Sequence, residues 1–139
     1  MAVDTTQGTQ DNRFKLYVDG TQLTSWVYVA KLAINLDTGF NAAHEHQIGE
    51  QGGLGRYFNG LMAEFNFIDG LQLAPASFAE DDGGTWTAIE YTGSYGTNGY
   101  RLTFSDSSDI GNDSSGNGND WSPVNLASGD VKTDVPPSK

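Results

Sequence analysis

Carboxylate and amide side chains are concentrated in one glycine- and serine-rich stretch late in the chain. They are Asp106, Asp109, Asp113, Asn117, Asn119 and Asp120. Calcium takes about six to eight oxygen ligands, and short loops of this composition supply them, although the spacing here does not match an EF-hand loop. Asp106, Asp109, Asp113, Asn117 and Asp120 are therefore the candidate ligands of a calcium site. In the alternative interpretation, these side chains cap their own backbone in solvated turns.

Two histidines lie close together at His44 and His46, with Glu45 between them. Side chains two residues apart share one face of a strand, so two imidazoles there could begin a metal site. No third ligand is defined by the spacing, although Glu50 is near. We favour the alternative, in which one histidine is exposed and the other is hydrogen-bonded.

Three aromatic residues stand in or beside loop-rich regions: Trp86, Tyr95 and Trp121. Sugar rings stack on exposed aromatic faces while nearby carboxylates and amides bind the hydroxyl groups. These three residues are therefore our candidates for a carbohydrate-binding site at a loop edge. The alternative is packing in the core or at a subunit interface, where tryptophan and tyrosine are also enriched.

Signatures of catalysis are missing from the sequence. It contains neither a G-x-S-x-G elbow nor an H-E-x-x-H motif, and no Gly-Lys-Ser/Thr follows the glycines at 52–55. The residues after Glu64 are Phe65 and Asn66, so the paired carboxylates of jelly-roll glucanases are not reproduced there. We expect a protein that is not an enzyme.

Composition narrows the choice of partners. A length of 139 residues suits one domain, and the net charge of −11 argues against binding to nucleic acid or to an anionic membrane. Cysteine is absent, which excludes disulfides and thiolate metal sites. The opening residues, MAVDTTQGTQ, have neither the basic nor the apolar region of a signal peptide.

Short alternating segments separated by turn residues predict an all-β fold. Asp19-Gly20 stands between two such segments, 13–18 and 21–26, and predicts a hairpin. The longest segment, 56–69, predicts a central strand because both of its faces are partly apolar. We expect further strands at 46–50, 86–91 and 100–105, a strand followed by a loop over 27–36, and one or two helical turns over 74–80. The tail at 135–139 is typical of a linker or a frayed terminus.

The block from Tyr57 to Gly70, followed by Pro75 and Phe78, resembles a strand and turn of concanavalin A-like (laminin-G-like) jelly-roll domains in structural proteins of tailed phages. The sequence NRFKLYVDGTQL is similar to the central hairpin of that family, and HQIG to another of its strands. The later sequences YTGSYGTNGYRLTFSD and DSSGNGNDWSPVNL look like the segment that follows the domain in tail and fibre proteins.

The resemblance implies a concanavalin A-like jelly-roll sandwich over residues 1–105, with an Asp/Asn/Gly/Ser-rich segment and tail over 106–139. The strands that open the family's domain have no counterpart here, so we expect an incomplete sandwich that oligomerisation completes. Residues 100–126 could instead take the place of the missing strands. The implied function is a phage fibre, tail appendage or head decoration in the virion, with a homo-oligomer (a trimer favoured) and other virion proteins as partners. The alternative is a carbohydrate-binding module that recognises a cell-surface or environmental glycan, with or without calcium.

Overall fold

The computed structural model, which describes residues 1–25 and 31–132, consists of short strands, tight turns and irregular loops. Within these ranges the strands are β1 (Ala2–Val3), β2 (Phe14–Lys15), β3 (Tyr17–Val18), β4 (Thr21–Gln22), β5 (Phe65–Phe67), β6 (Ala79–Asp82), β7 (Thr85–Ala88) and β8 (Tyr100–Leu102). Single 3-10 turns lie at Gln10–Asn12, Gly39–Asn41, Pro75–Ser77 and Ser128–Asp130. The described part of the chain is therefore β-rich, as the sequence predicts.

The strands pair in four separate antiparallel sheets, β1 with β2, β3 with β4, β5 with β8 and β6 with β7. In the described ranges these pairs do not join into one continuous sheet or a closed barrel. No helix among the same residues is long and apolar enough to cross a bilayer.

The predicted hairpin at Asp19-Gly20 is confirmed. Val18 pairs with Thr21, and the two turn residues have positive φ angles of 46° and 72°. Positive φ at both positions is the geometry of a type I′ turn, which suits the twist of a tight hairpin. Strand β4 ends at Gln22, while residues 26–30, which include Trp26, lie outside the described residues.

A second hairpin joins β6 to β7 through Gly83 and Gly84, whose φ angles are 65° and 92°. The Asp81 carboxylate accepts a hydrogen bond from the Gly84 N–H at 2.7 Å and so stabilises this turn. The predicted helical turn is confirmed only at Pro75–Ser77, because the chain enters β6 at Ala79.

The long central strand predicted over 56–69 is wrong for most of its length, since β5 covers only Phe65–Phe67. The chain leaves the strand conformation at Glu64, whose φ angle is 52°. A non-glycine residue in this left-handed region interrupts a ladder. Phe104, with a φ angle of 56°, similarly follows the end of β8, which stops at Leu102 rather than Ser105.

The other predicted strands are also short or absent. Strand β7 ends at Ala88 instead of residue 91. Over 46–50 only Glu50 makes a bridge, to Tyr57, and residues 31–36 form no strand. The tail at 135–139 lies outside the described residues.

The buried centre lies beside β5 and β8. Leu102 is 1% exposed, and Tyr95 is nearly as buried. The Tyr100 ring packs against the rings of Phe65 and Phe67, with centroids 6.0 and 5.4 Å away. The residues that follow β8 are drawn onto the same centre, because Asp113 bridges to Leu102 and the Ser114 N–H donates to the Arg101 carbonyl at 2.8 Å.

Candidate functional site

The carbohydrate candidate Trp86 lies where the two hairpins meet. Its indole ring packs on Gly20 so closely that a Cβ atom added there would lie 2.8 Å from the ring. Around this contact is an open concavity of about 590 Å³, lined by Asp19, Gly20, Thr21, Asp81, Gly84, Thr85 and Trp86. Glycine at position 20 is therefore needed both for its positive φ angle and for the approach of the indole.

The polar groups of this concavity suit a ligand rich in hydroxyl groups. Asp19 and Asp81 supply carboxylate oxygens, and Thr21 and Thr85 supply hydroxyls that donate and accept. One Asp81 oxygen already accepts from Gly84, which holds the carboxylate in place. The indole of Trp86 adds an apolar surface, so the site combines stacking with hydrogen bonding.

Tyr95 lies in the core rather than at a loop edge. Its hydroxyl donates to Asn66 Oδ1 at 2.8 Å, and its ring meets the Tyr91 ring edge to face at 5.2 Å. Burial raises the pKa of Tyr95. With 7% of its surface exposed, the residue offers no open ring face for a sugar.

Trp121 lines a different concavity from Trp86. This second space, of about 300 Å³, is lined by Phe40, Asn41, Ala42, Ala43, His46, Phe67, Asn98, Tyr100 and Trp121. The rings of Trp121 and Tyr100 are 5.1 Å apart, and burial raises the pKa of Tyr100 to about 12. The structure therefore does not bring the three candidate aromatics into one site.

Asp113 is the centre of the acidic stretch. Its Oδ1 accepts from the Arg101 and Ser115 N–H groups at 2.9 and 2.8 Å, and its Oδ2 accepts from the Asn119 N–H and the Ser115 hydroxyl at 2.9 Å. Burial alone would raise the pKa of Asp113, but the backbone donors outweigh it and lower the pKa. Both carboxylate oxygens are thus engaged by donors of the chain itself.

The neighbours of Asp113 also hold the loop onto the turn before β8. Asp120 accepts from the Asp113 N–H at 2.9 Å. The Asn117 amide donates to the Gly96 and Gly99 carbonyls, both at 2.8 Å, and the Asn119 amide donates to Thr97 and Gly99. Amide side chains that donate to carbonyls in this way join the two loops directly.

Asp106 and Asp109 belong to a separate turn. Asp106 accepts from the backbone and hydroxyl of Ser108 at 2.8 and 2.6 Å, which lowers its pKa, and Asp109 contacts Asp106 and Asn112 through its backbone. Among the described residues, no group of three or more histidine, aspartate or glutamate side chains could hold a metal ion. Calcium binding stays a prediction, and the local geometry favours the alternative of self-capping turns.

The two histidines are exposed, and their rings stack with centroids 4.6 Å apart. His46 Nε2 is 3.0 Å from the Ala42 carbonyl oxygen. His44 is exposed and His46 is hydrogen-bonded, as in the favoured alternative, but neither lies in a strand as that alternative expected.

Sequence reasoning missed the ion-pair network around Arg101. The guanidinium contacts both oxygens of Glu64, at 3.0 and 3.2 Å, and Glu90 at 2.5 Å. A charged residue inside the alternating 100–105 segment was the available signal, but the partners are 37 and 11 residues away in the sequence.

Comparison with known proteins found no matching family model, no similar curated protein and no similar solved structure.

Proposed function

We propose that this chain is a non-enzymatic structural component of a tailed-phage virion, such as a fibre, tail appendage or head decoration. It would carry a concanavalin A-like jelly roll, and contacts with other copies and with other virion proteins would complete that jelly roll. Two features support the proposal: the resemblance of the segment from Tyr57 to Gly70, and the amount of apolar surface that the chain leaves uncovered.

The uncovered apolar surface carries the proposal. Among the described residues, the buried hydrophobic side chains are only Ala2, Ala79, Tyr95 and Leu102. The exposed large hydrophobic residues are Met1, Phe14, Val18, Leu23, Ile34, Leu36, Phe40, Leu54, Tyr57, Phe58, Leu61, Met62, Leu71, Val124 and Leu126. Scattered single residues of this kind are ordinary, but so many beside so small a core are typical of a surface that another subunit covers.

The total surface supports the same conclusion. The accessible surface is 9666 Å² for a chain of 14.9 kDa. A folded monomer of this mass exposes roughly 7000 Å². The excess is larger than the roughly 800 Å² that one standard interface buries on each partner. The net charge of −11 would keep such an assembly soluble.

The first test is the absolute mass of the full chain in solution, measured by light scattering on a size-exclusion column. We expect a mass of at least two chains, each of 14.9 kDa. A monomer at every concentration would contradict self-assembly. Repeating the measurement with calcium and with a chelator separates cation-dependent association from direct contact.

A second test addresses the virion itself. Mass spectrometry of density-purified phage particles from the source of the chain should detect it at a stoichiometry well above background. Its recovery only in the soluble fraction of lysed cells would contradict a place in the particle.

The second candidate function is glycan binding, and the concavity at Trp86 favours it. An indole beside two carboxylates and two threonine hydroxyls presents stacking and hydrogen-bonding groups together. A glycan array followed by titration calorimetry tests it, with Trp86→Ala expected to abolish binding. Trp121→Ala is the matched control because Trp121 lines the other concavity. Binding that survives Trp86→Ala would exclude this site.

A further inference from the structure

Residues 59–63 form a run whose backbone is unpaired, and within it residues 59–62 are exposed and Ala63 is half-buried. Phe58 is the last residue before the run with a backbone hydrogen bond, from its N–H to the Gly49 carbonyl at 2.8 Å. Glu64 is the first after it, since its carbonyl accepts from the Asn66 amide at 3.0 Å. Between them, no backbone hydrogen bond is formed within the described part of the chain. The run is not itself a strand, because the chain bends at Gly60 and Glu64 separates it from β5. Its free N–H and C=O groups can still pair with another chain.

Large apolar side chains surround this run. Leu61 is 73% exposed, and Leu54, Tyr57, Phe58 and Met62 are also exposed. The two aromatic side chains alone leave roughly 200 to 300 Å² uncovered, if a full aromatic side chain counts for about 150 to 250 Å². With the two leucines and the methionine added, the apolar area reaches the size of the largest patches on monomeric proteins, which are often functional. It also matches the apolar centre of a standard interface, which buries about 800 Å² on each partner.

Charge identifies which partner suits this surface. Residues 51–63 contain Arg56 and no carboxylate, whereas the whole chain carries −11. Two copies of so acidic a chain repel each other through most of their surface. At residues 51–63 they can approach with carboxylates only at the edges of the contact, from Glu50, which bridges to Tyr57, and from Glu64, which is paired with Arg101. This stretch is therefore suited to a second copy of the same chain.

We propose that residues 59–63 pair antiparallel with the same residues of a second copy, a proposal that rests on the assembly role given above. Such a contact is isologous and has a two-fold axis at its centre. Leu61 is the middle residue of the run, so it faces the partner's Leu61, and Asn59 faces the partner's Ala63. The contact joins copies in pairs, and it predicts a dimer or another even-numbered assembly instead of the trimer expected from the sequence.

Single cysteines test this register, because the chain has no cysteine of its own and any disulfide must join two copies. We expect Leu61→Cys to form a covalent dimer on mild oxidation, several-fold faster than the other variants. Asn59→Cys alone should not form a covalent dimer, because position 59 of the partner lies four residues further along the pair, about 14 Å away at 3.4 Å per residue. A disulfide needs Cα atoms within about 7 Å. An equimolar mixture of Asn59→Cys and Ala63→Cys should form the mixed dimer.

The control is Val124→Cys, which is 75% exposed in a different part of the chain and reports random collision. Equal rates for Leu61→Cys and Val124→Cys in a chain that is oligomeric by light scattering would overturn this contact and leave the assembly role standing. A monomer in which neither variant forms a dimer would overturn both. Rapid self-linking of Asn59→Cys would indicate parallel pairing and would overturn the register. Circular dichroism of each variant establishes that the fold is retained.

Discussion

Glu64 and Arg101 form a two-point ion pair at the residue where the longest predicted strand breaks. The guanidinium holds both carboxylate oxygens of Glu64, whose backbone has a φ angle of 52°. The Arg101 side chain is 13% exposed and that of Glu64 is 29% exposed. The pair therefore stabilises a backbone conformation that costs a non-glycine residue about 1 to 3 kcal/mol.

Replacing Arg101 by methionine should lower the free energy of unfolding by about 1 to 3 kcal/mol, because a half-buried carboxylate loses its partner. Arg101→Lys should recover part of the loss, since it restores the charge but not the paired donors. The urea concentration at the midpoint of unfolding measures the stability of both variants. Glu90→Gln is the control: Glu90 is 63% exposed, and its loss should cost less than about 1 kcal/mol. A cost of Glu90→Gln equal to that of Arg101→Met would contradict a special role for Glu64.

Asp113→Ala should destabilise the protein by about 2 to 4 kcal/mol, because several buried donors lose their acceptor. The lowered pKa of Asp113 also gives a pH dependence. The contribution of the Asp113 carboxylate to the free energy of unfolding is complete above the unfolded-state pKa of about 4. It is lost as the pH falls through the lower folded-state pKa. Thermal unfolding at pH 7 and at pH 3 or lower measures this loss. Asp113→Asn should flatten the dependence, and an unchanged slope would contradict the assignment.

Tyr100 should resist ionisation in the folded protein, because burial raises its pKa to about 12 from an ordinary value of 10.0. A raised pKa means that the folded protein favours the neutral phenol. The contribution of Tyr100 to the free energy of unfolding is therefore present below the unfolded-state pKa and is lost as the pH rises from about 10 to 12. Ultraviolet titration of tyrosinate should show a transition near pH 12 that Tyr100→Phe removes, while the raised pKa of Tyr95 leaves another late transition in place. A titration that stays unchanged in this variant would refute the burial of the hydroxyl.

Gly20→Ala should cost more than Gly118→Ala, although the two residues have φ angles of 72° and 73°. Both substitutions carry the strain of a left-handed alanine, about 1 kcal/mol. Only at Gly20 would the added methyl also meet the Trp86 ring, while nothing lies within 4 Å at Gly118. The difference between the two unfolding free energies measures the contact of the hairpins. Equal costs would mean that the hairpins do not pack in solution.

Local signals in the sequence predicted the turns well. Asp19-Gly20 places two residues that tolerate positive φ between alternating segments, so the turn and the Val18–Thr21 register followed from neighbours in the chain. Pro75 similarly placed the short 3-10 turn. The β-rich class followed from the abundance of such turns. The Asp113 loop was recognised as a turn of aspartate and asparagine that could cap its own backbone, which was one of two interpretations left open.

Tertiary contacts decided the rest. The segment 56–69 has a strand pattern throughout, but the Glu64–Arg101 pair holds a left-handed residue within it and leaves β5 three residues long. Composition could not show that Tyr95 turns inward to Asn66 while Trp86 meets Gly20, since each contact joins residues more than 25 positions apart. The sequence alone predicted which segments turn, because turns depend on neighbouring residues, and how much charge the chain carries, because net charge depends on composition. Which aromatic rings are buried, and which backbone stays unpaired at residues 59–63, depended on contacts that form only when distant segments pack.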